Sequence, residues 1–267
     1  MLDARWHDWL RDNMKLGCDL LELMNTLRQA GFSDDAIAAG LDAVRPTGDA
    51  FSEGAMDPPP LIRRMPANLK RFDHPEVELY TLENFLSRRE CEKLVALIGH
   101  HLRPSTVSYD NGDKSFRTSQ TSHLSHLKSP AALGIDDKIC KTLGIRAAYA
   151  EGIQAQRYDV GQQFKPHWDY FTPDTDAYRR LAGVRGNRTW TFMVYLNDVL
   201  EGGATRFTKI DHAVTPKAGM AVLWNNLNAD GSTNEFTMHC GEPVVRGHKI
   251  IITKWFRIHG DGPVFHE

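Results

Sequence analysis

His167 and Asp169 stand two apart in Phe164-Lys165-Pro166-His167-Trp168-Asp169. On an extended strand, residues i and i+2 point to the same side. An imidazole nitrogen and a carboxylate oxygen can then reach a single ion. A third ligand must come from elsewhere in the chain. His239 fits, because it sits just before an apolar strand able to pair back across a barrel. Two histidines and one carboxylate leave about three positions open on an octahedral ion, which suits non-haem Fe(II) oxygen chemistry. Catalytic zinc also takes three protein ligands and is the nearest competitor. Taken singly, a His-x-Asp pair is a weak signal, since 12 histidines in 267 residues produce such pairs by chance. Cys240, next to His239, is read as a packed thiol rather than a ligand.

Such ligands need a shell of strands to hold them, and the surrounding sequence reads as one. Ala155-Gln156-Arg157-Tyr158 leads into the histidine motif as a strand. Trp190-Thr191-Phe192-Met193-Val194-Tyr195-Leu196 has the composition of a buried strand, ended by Asn197-Asp198 and Gly202-Gly203. Residues 213–224 give two strands around a Pro216/Gly219 turn, and Asn225–Glu235 reads as a polar loop. Ile250-Ile251-Ile252-Thr253-Lys254-Trp255-Phe256 closes the set. Many short strands with regular turns predict a mainly β fold, a jelly roll or double-stranded β-helix, with flanking helices. Nucleotide folds are disfavoured, since there is no βαβ alternation and no GxGxxG or Walker pattern.

The helices precede the core. Trp6, Leu10 and Met14 fall on one stripe, Gly31 stops a second helical run, and Ser33 is placed to cap a third. We therefore expect a small helical appendage over 1–45, a Pro/Gly-rich linker over 46–60, and an oxygenase domain over 61–267 with its core at 150–260. Within that domain, Val77–Tyr80 reads as a strand. Ser87 and Glu90 form a capping-box pattern ahead of a helix with Cys91, Leu94, Val95 and Ile98 on its apolar face. Pro130–Gly144 reads as a second helix. Asp110–Asp113 reads as a turn whose flanks form a mobile loop at the site's mouth. Residues 171–188 are long, polar and charged, and read as a connection or lid beside the metal.

Composition bounds the setting. The chain is 41% hydrophobic and 25% charged, ordinary for a globular protein. Its 32 basic and 34 acidic residues give a net charge of −2, which predicts no nucleic-acid footprint. No apolar run approaches the ~20 residues of a membrane span. The start, Met1-Leu2-Asp3-Ala4-Arg5-Trp6, lacks a signal pattern, so a cytoplasmic location is expected. Cys18, Cys91, Cys140 and Cys240 match no zinc template and read as reduced thiols.

Three ordered blocks resemble one family. Tyr158-x-x-Gly161-Gln162-x-Phe164-x-Pro166-His167-x-Asp169 is similar to the metal motif of prolyl 4-hydroxylase-like Fe(II)/2-oxoglutarate dioxygenases. So are Asn187-Arg188-x-x-Thr191-Phe192-x-x-Tyr195-x-x-Asp198-Val199 with Gly202-Gly203-Ala204-Thr205-x-Phe207, and His239 followed by Lys249 and Lys254-Trp255. Trp168 stands where the family often has Tyr or Phe.

The resemblance implies Fe(II), 2-oxoglutarate and O2, with ascorbate allowed as reductant, and oxidative decarboxylation to succinate coupled to hydroxylation of an unactivated C–H. It implies His167, Asp169 and His239 as metal ligands and Lys249 as partner of the cosubstrate's distal carboxylate. Thr253 and Trp255 share the parity of Lys249, and Tyr158 and Tyr195 match positions lining or reaching that pocket. Arg188 matches an arginine lying toward the prime substrate, and Arg117-Thr118-Ser119 resembles a stretch preceding the active site. The implied substrate is a peptidyl proline. A free amino acid such as proline or pipecolate is the alternative, and a non-catalytic 2-oxoglutarate/iron sensor is an alternative of another class. An AlkB-like nucleic-acid demethylase is argued against by the charge balance. No membrane partner is expected, and a homodimer is left open.

Overall fold

The structure is a computed structural model that describes residues 2–15, 20–44, 66, 68–99, 101–105, 113, 115–127, 129–182 and 185–260. Three helices come first: α1 (Ala4–Lys15), α2 (Leu20–Gln29) and α3 (Asp34–Val44). They bury Leu2, Leu10, Leu23, Leu27, Ile37 and Val44 in a cluster of their own, with Trp6, Trp9 and Phe32 packed against it. Gly31 ends α2 at φ 90°, a conformation glycine adopts without strain. The Ser33 hydroxyl accepts from the Ala36 amide as expected of a cap. The expected linker over 46–60 lies outside the described residues. No described helix is long and apolar enough to cross a membrane.

The remainder is built on strands. In chain order they are β1 (Leu69–Arg71), β2 (Leu79–Leu82), β3 (Arg103–Pro104), β4 (Gln120–His123), β5 (Gln154–Tyr158), β6 (Phe164–His167), β7 (Arg188–Tyr195), β8 (Glu201–Gly202), β9 (Thr205–Phe207), β10 (His212–Val214), β11 (Ala221–Asn225), β12 (His239–Gly241), β13 (Val244–Arg246) and β14 (Lys249–Arg257). An eight-stranded sheet runs β1-β2-β11-β7-β14-β5-β4-β3, and a four-stranded sheet runs β10-β9-β12-β6. A β13-β8 ribbon stands apart. The ladders between these strands are antiparallel, and a lone parallel bridge joins Val160 to Val244. This is the expected jelly-roll plan.

Two apolar layers follow from the alternation along these strands. Between the sheets lie Tyr158, Met193, Tyr195, Phe207, Val222, Trp224 and Ile251. On the other face of the larger sheet, Ala155, Phe192, Val194, Ile250, Ile252 and Phe256 meet two helices, α4 (Arg88–Ile98) and α5 (Pro130–Leu143). The Ser87–Glu90 capping box forms as read from sequence, and Cys91, Leu94 and Ile98 are buried. Lys254 anchors α5 to the sheet: its ammonium is buried and bonds Asp136 Oδ1 at 2.6 Å and the Glu151 carbonyl at 2.9 Å.

Two expectations shift. The strand read at Val77–Tyr80 forms two residues later, as β2. The stretch 171–188 is no open connection: it contains α6 (Asp176–Ala182) and is tied down on both sides. The Asn187 side chain bonds both backbone groups of Phe171, at 2.8 and 2.9 Å, and Arg257 donates to the carbonyls of Leu181 and Gly186. A short helix with two buried alanines leaves almost no periodic signal to read. The Asp110–Gly112 part of the expected turn lies outside the described residues.

Candidate active site

His167 closes β6 and His239 opens β12, and the two residues are cross-strand partners. Their rings lie 4.4 Å apart between centroids. Each ring is oriented through Nδ1, which faces a backbone carbonyl: Lys165 at 2.8 Å for His167 and Thr237 at 3.0 Å for His239. A carbonyl only accepts, so Nδ1 carries the proton and Nε2 presents its lone pair. Asp169 Oδ1 lies 3.7 Å from His167 Nε2 and 3.9 Å from His239 Nε2. The three side chains each offer one ligand atom, all within 4.8 Å of one another.

The carboxylate is held from behind. Thr191 donates to Asp169 Oδ2 at 2.8 Å, Asn226 donates to Thr191 at 2.8 Å, and the Trp224 indole donates to Asn226 at 3.0 Å. Outer partners of this kind fix ligand orientation. Burial and the neighbouring His239 push the His167 imidazole down to about 3, so it is neutral and ligand-competent at neutral pH. Burial raises Asp169, but His239, His167 and Arg188 outweigh it and keep the acid ionised. Trp168 takes the opposite parity, and its indole donates to the Glu235 carbonyl at 3.0 Å.

A pocket leads from these ligands across to β14. Lys249, Thr253 and Trp255 line it with Ile251, all on one face of β14, as the period of two requires. Lys249 is 1% exposed. Its ammonium bonds the Gly203 carbonyl at 2.9 Å and lies 4.5 Å from the centre of the Tyr158 ring. No described carboxylate lies within 4 Å of it. Burial pushes Lys249 down to about 8. Beside it, a Cβ at Gly241 would stand 3.1 Å from Nζ, so the absent side chain keeps space next to the ammonium. A buried ammonium facing open space is a strong donor site for a carboxylate.

Two residues named from sequence do other work. Tyr195 is fully buried but does not line the pocket; its hydroxyl donates to Thr205 Oγ1 at 2.7 Å, with the Val214 carbonyl at 3.2 Å. Thr205 lines the pocket in its place. A buried phenol takes the nearest acceptor, and β9 supplies it. Arg188 is committed as well. It makes a two-pronged pair with Glu151 at 2.8 and 2.7 Å, donates to the Asp169 carbonyl at 3.2 Å, and lies 4.0 Å over the Trp255 ring. It thus braces the backbone of the metal ligand Asp169. Arg117 does line the pocket, 4.8 Å over the Phe164 ring, and bonds Ser119, Thr121 and Gln154. Sequence reading missed Gln156, Thr205, Gly241 and the Asn226 support; strand parity with Tyr158 was the one signal that pointed to Gln156.

The 2OG-Fe(II) oxygenase superfamily model matches residues 153–257, which hold every one of these ligands. A curated Arabidopsis thaliana protein, "Probable prolyl 4-hydroxylase 10", is 32% identical over 208 residues, covering 69% of this chain and 70% of that one. The chain belongs to the prolyl 4-hydroxylase family of 2OG-Fe(II) oxygenases. Prolyl 4-hydroxylase subunit alpha-1 of Bos taurus is 34% identical over 194 residues, 71% of this chain but 36% of its own length. The chain therefore spans about a third of that relative. A viral collagen prolyl hydroxylase from Paramecium Bursaria Chlorella virus-1, solved as a 2OG complex, shares the fold with a TM-score of 0.53 at 24% identity, over 67% of this chain and 94% of that one. The family's Fe(II), 2-oxoglutarate and O2 fit the residues present. Two Nε2 lone pairs and one carboxylate oxygen converge at one end, and a buried ammonium with space beside it waits at the other.

Proposed function

We propose that this chain is an Fe(II)- and 2-oxoglutarate-dependent hydroxylase acting on a proline residue of a peptide or protein. One observation carries the reading: a single pocket joins the His167/Asp169/His239 cluster to the buried Lys249 ammonium. That pairing suits a 2-oxo diacid, with its oxo-acid end toward the ligands and its far carboxylate at the lysine. When bound, the iron supplies the oxygen activation that lets an unactivated C–H be hydroxylated as 2-oxoglutarate is decarboxylated to succinate. The protein's own part is positional. His167, Asp169 and His239 would hold the metal on one side and leave the other open. Lys249, Tyr158, Thr205 and Thr253 would orient the diacid, while Trp224, Phe164, Met193 and Ile251 keep water from its chain. The prolyl substrate is supported by the relatives' names. The free cysteines among the described residues, Cys91, Cys140 and Cys240, suit a reducing compartment, in keeping with a cytoplasmic location.

The test is turnover under defined loading. Protein charged anaerobically with Fe(II) is given 2-oxoglutarate, O2 and proline-containing peptides, with free L-proline and L-pipecolate as parallel substrates. Succinate with an oxygen-atom mass gain on a peptide is the expected result. Gain on a free amino acid alone would move the substrate to the small-molecule class. Turnover unchanged in His239→Ala would dismiss the site.

A further inference from the structure

We propose that a chain of side-chain hydrogen bonds along the inner face of β5 couples the lysine end of the pocket to Arg117 at the metal end, with Gln156 as its positioning residue. The proposal rests on the reading that an acid cosubstrate sets its far carboxylate beside Lys249.

Gln154, Gln156 and Tyr158 alternate on one face of β5. Across the sheet they stand opposite Thr253, Ile251 and Lys249, so they mark three successive depths of the pocket. Tyr158 donates to Gln156 Oε1 at 2.8 Å. Gln156 Nε2 faces Gln154 Oε1 at 3.4 Å, and Arg117 Nη2 donates to that same oxygen at 3.2 Å. Donors thus run inward from both ends and meet on the Gln154 carbonyl. Arg117 lies at the metal end, where its charge acts on His167 and interacts with Asp169, and it also reaches the Tyr158 hydroxyl. Gln156 is 4% exposed and sits opposite Ile251, a level where an apolar side chain would pack equally well. A buried amide there calls for a purpose beyond filling space.

The count of protons supplies one. Tyr158 has a single hydroxyl hydrogen, and Gln156 holds it. A carboxylate beside Lys249 brings only lone pairs, so binding it through Tyr158 requires that hydrogen to turn away from Gln156. Left as it is, the Gln156 oxygen would lose its donor in a buried place, which is costly. Turning the amide end for end removes that loss: Nε2 then donates to the Tyr158 oxygen and Oε1 faces Gln154. Two carbonyl oxygens now oppose each other, so Gln154 turns as well and offers its own NH2. Arg117 thereby gives up the Gln154 acceptor, keeps Ser119 and Thr121, and re-aims. The arrival of the acid at one end resets the guanidinium at the other, beside the metal ligands. Such a linkage acts equally in both directions.

The test uses the full chain loaded with diamagnetic Zn(II) and titrated with 2-oxoglutarate. Calorimetry reads binding, and the Arg117 Nε–H signal in nitrogen–proton NMR, assigned through Arg117→Lys, reads the far end. In the parent protein that signal is expected to move at saturation. Gln156→Met keeps the volume without the amide; with the Tyr158 hydrogen no longer held, it is expected to bind the acid at least as tightly as the parent and, at saturation, to lose most of the Arg117 shift. Gln154→Met, which breaks the next link, should lose it too, and stands in if Gln156→Met fails to fold. An unchanged shift in both variants at saturation overturns the relay, as does no shift in the parent. If the parent fails to bind the acid, or Lys249→Met binds it equally well, the isotherm shows that the cosubstrate reading itself has failed and the relay falls with it.

Discussion

Thr191 donates to Asp169 Oδ2 at 2.8 Å, and this bond decides which carboxylate oxygen faces the two imidazoles. With Oδ2 engaged, Oδ1 is the oxygen within 3.9 Å of both Nε2 atoms. Thr191→Val removes the donor and also strands the Asn226 amide that bonds it. Metal affinity is expected to fall by about 10- to 100-fold in Thr191→Val, and less in Asn226→Ala. Chelator competition with Co(II) measures it, with circular dichroism to show that the fold is kept. Unaltered Co(II) affinity in both would mean that the support has no bearing on the ligand.

Lys249 gives the cosubstrate site a pH signature. Burial brings its pKa down to about 8, so the ammonium is charged below that and neutral above it. An anion binds the charged form. Affinity for 2-oxoglutarate is therefore expected to be level below about pH 8 and to drop nearly tenfold per unit above it, with proton uptake on binding. Calorimetry in buffers of different ionisation enthalpy checks both. Lys249→Arg, which stays charged, should flatten the profile; a parent profile that is flat through about pH 9.5 contradicts the assignment.

The Tyr195–Thr205 bond separates two roles that resemblance alone would merge. Tyr195→Phe loses a bond made inside the core, so stability should fall by about 1–2 kcal/mol with 2-oxoglutarate affinity within about twofold. Thr205→Val takes a hydroxyl from the pocket wall and should weaken the acid directly. Urea melts and isotherms on the pair decide it; the reverse pattern would return Tyr195 to the pocket.

Glu151 is a buried hub for Arg188 and Arg257. Burial raises its pKa, but the two guanidiniums outweigh that and hold the carboxyl far below its usual 4.5. A depressed folded-state value means stabilisation that is present above about pH 4.5 and lost as pH falls below it. Glu151→Gln leaves two guanidiniums under-compensated and is expected to cost about 3–5 kcal/mol. The difference between parent and variant should shrink toward about pH 3. Metal affinity should drop too, since Arg188 holds the Asp169 carbonyl. Equal thermal midpoints for both proteins at neutral pH would count against the hub.

What the sequence revealed was whatever depends on spacing along one strand. The period of two places Lys249 with Thr253 and Trp255 on one face of β14, and the Ser87–Glu90 cap is local by nature; His167 and Asp169 do converge, but through the bend that follows β6 rather than by alternation along it. What stayed hidden depends on partners distant in the chain. Arg188 looks available until Glu151, 37 residues earlier, is seen to fill both its prongs. Tyr195 looks pocket-facing until β9 is folded beneath it. Asn226 stands in what reads as a polar loop, yet it is fully buried because Thr191 and Trp224 both need it. Within 171–188, α6 carries too few apolar residues to announce itself.

The two metal-binding histidines stand on β6 and β12 of the smaller slab, with Asp169 just past the end of β6, whereas Lys249 stands on the larger one. The reach from ion to ammonium is therefore an interlayer dimension. It is set by rings wedged between the slabs: Phe207 lies 5.3 Å from Trp224, and Trp224 lies 4.8 Å from His239. The molecule is in effect a caliper with an aromatic shim. Thinning the shim, as in Phe207→Leu, would narrow the gauge and tilt preference toward a shorter oxo-diacid, although Phe207 itself does not line the pocket.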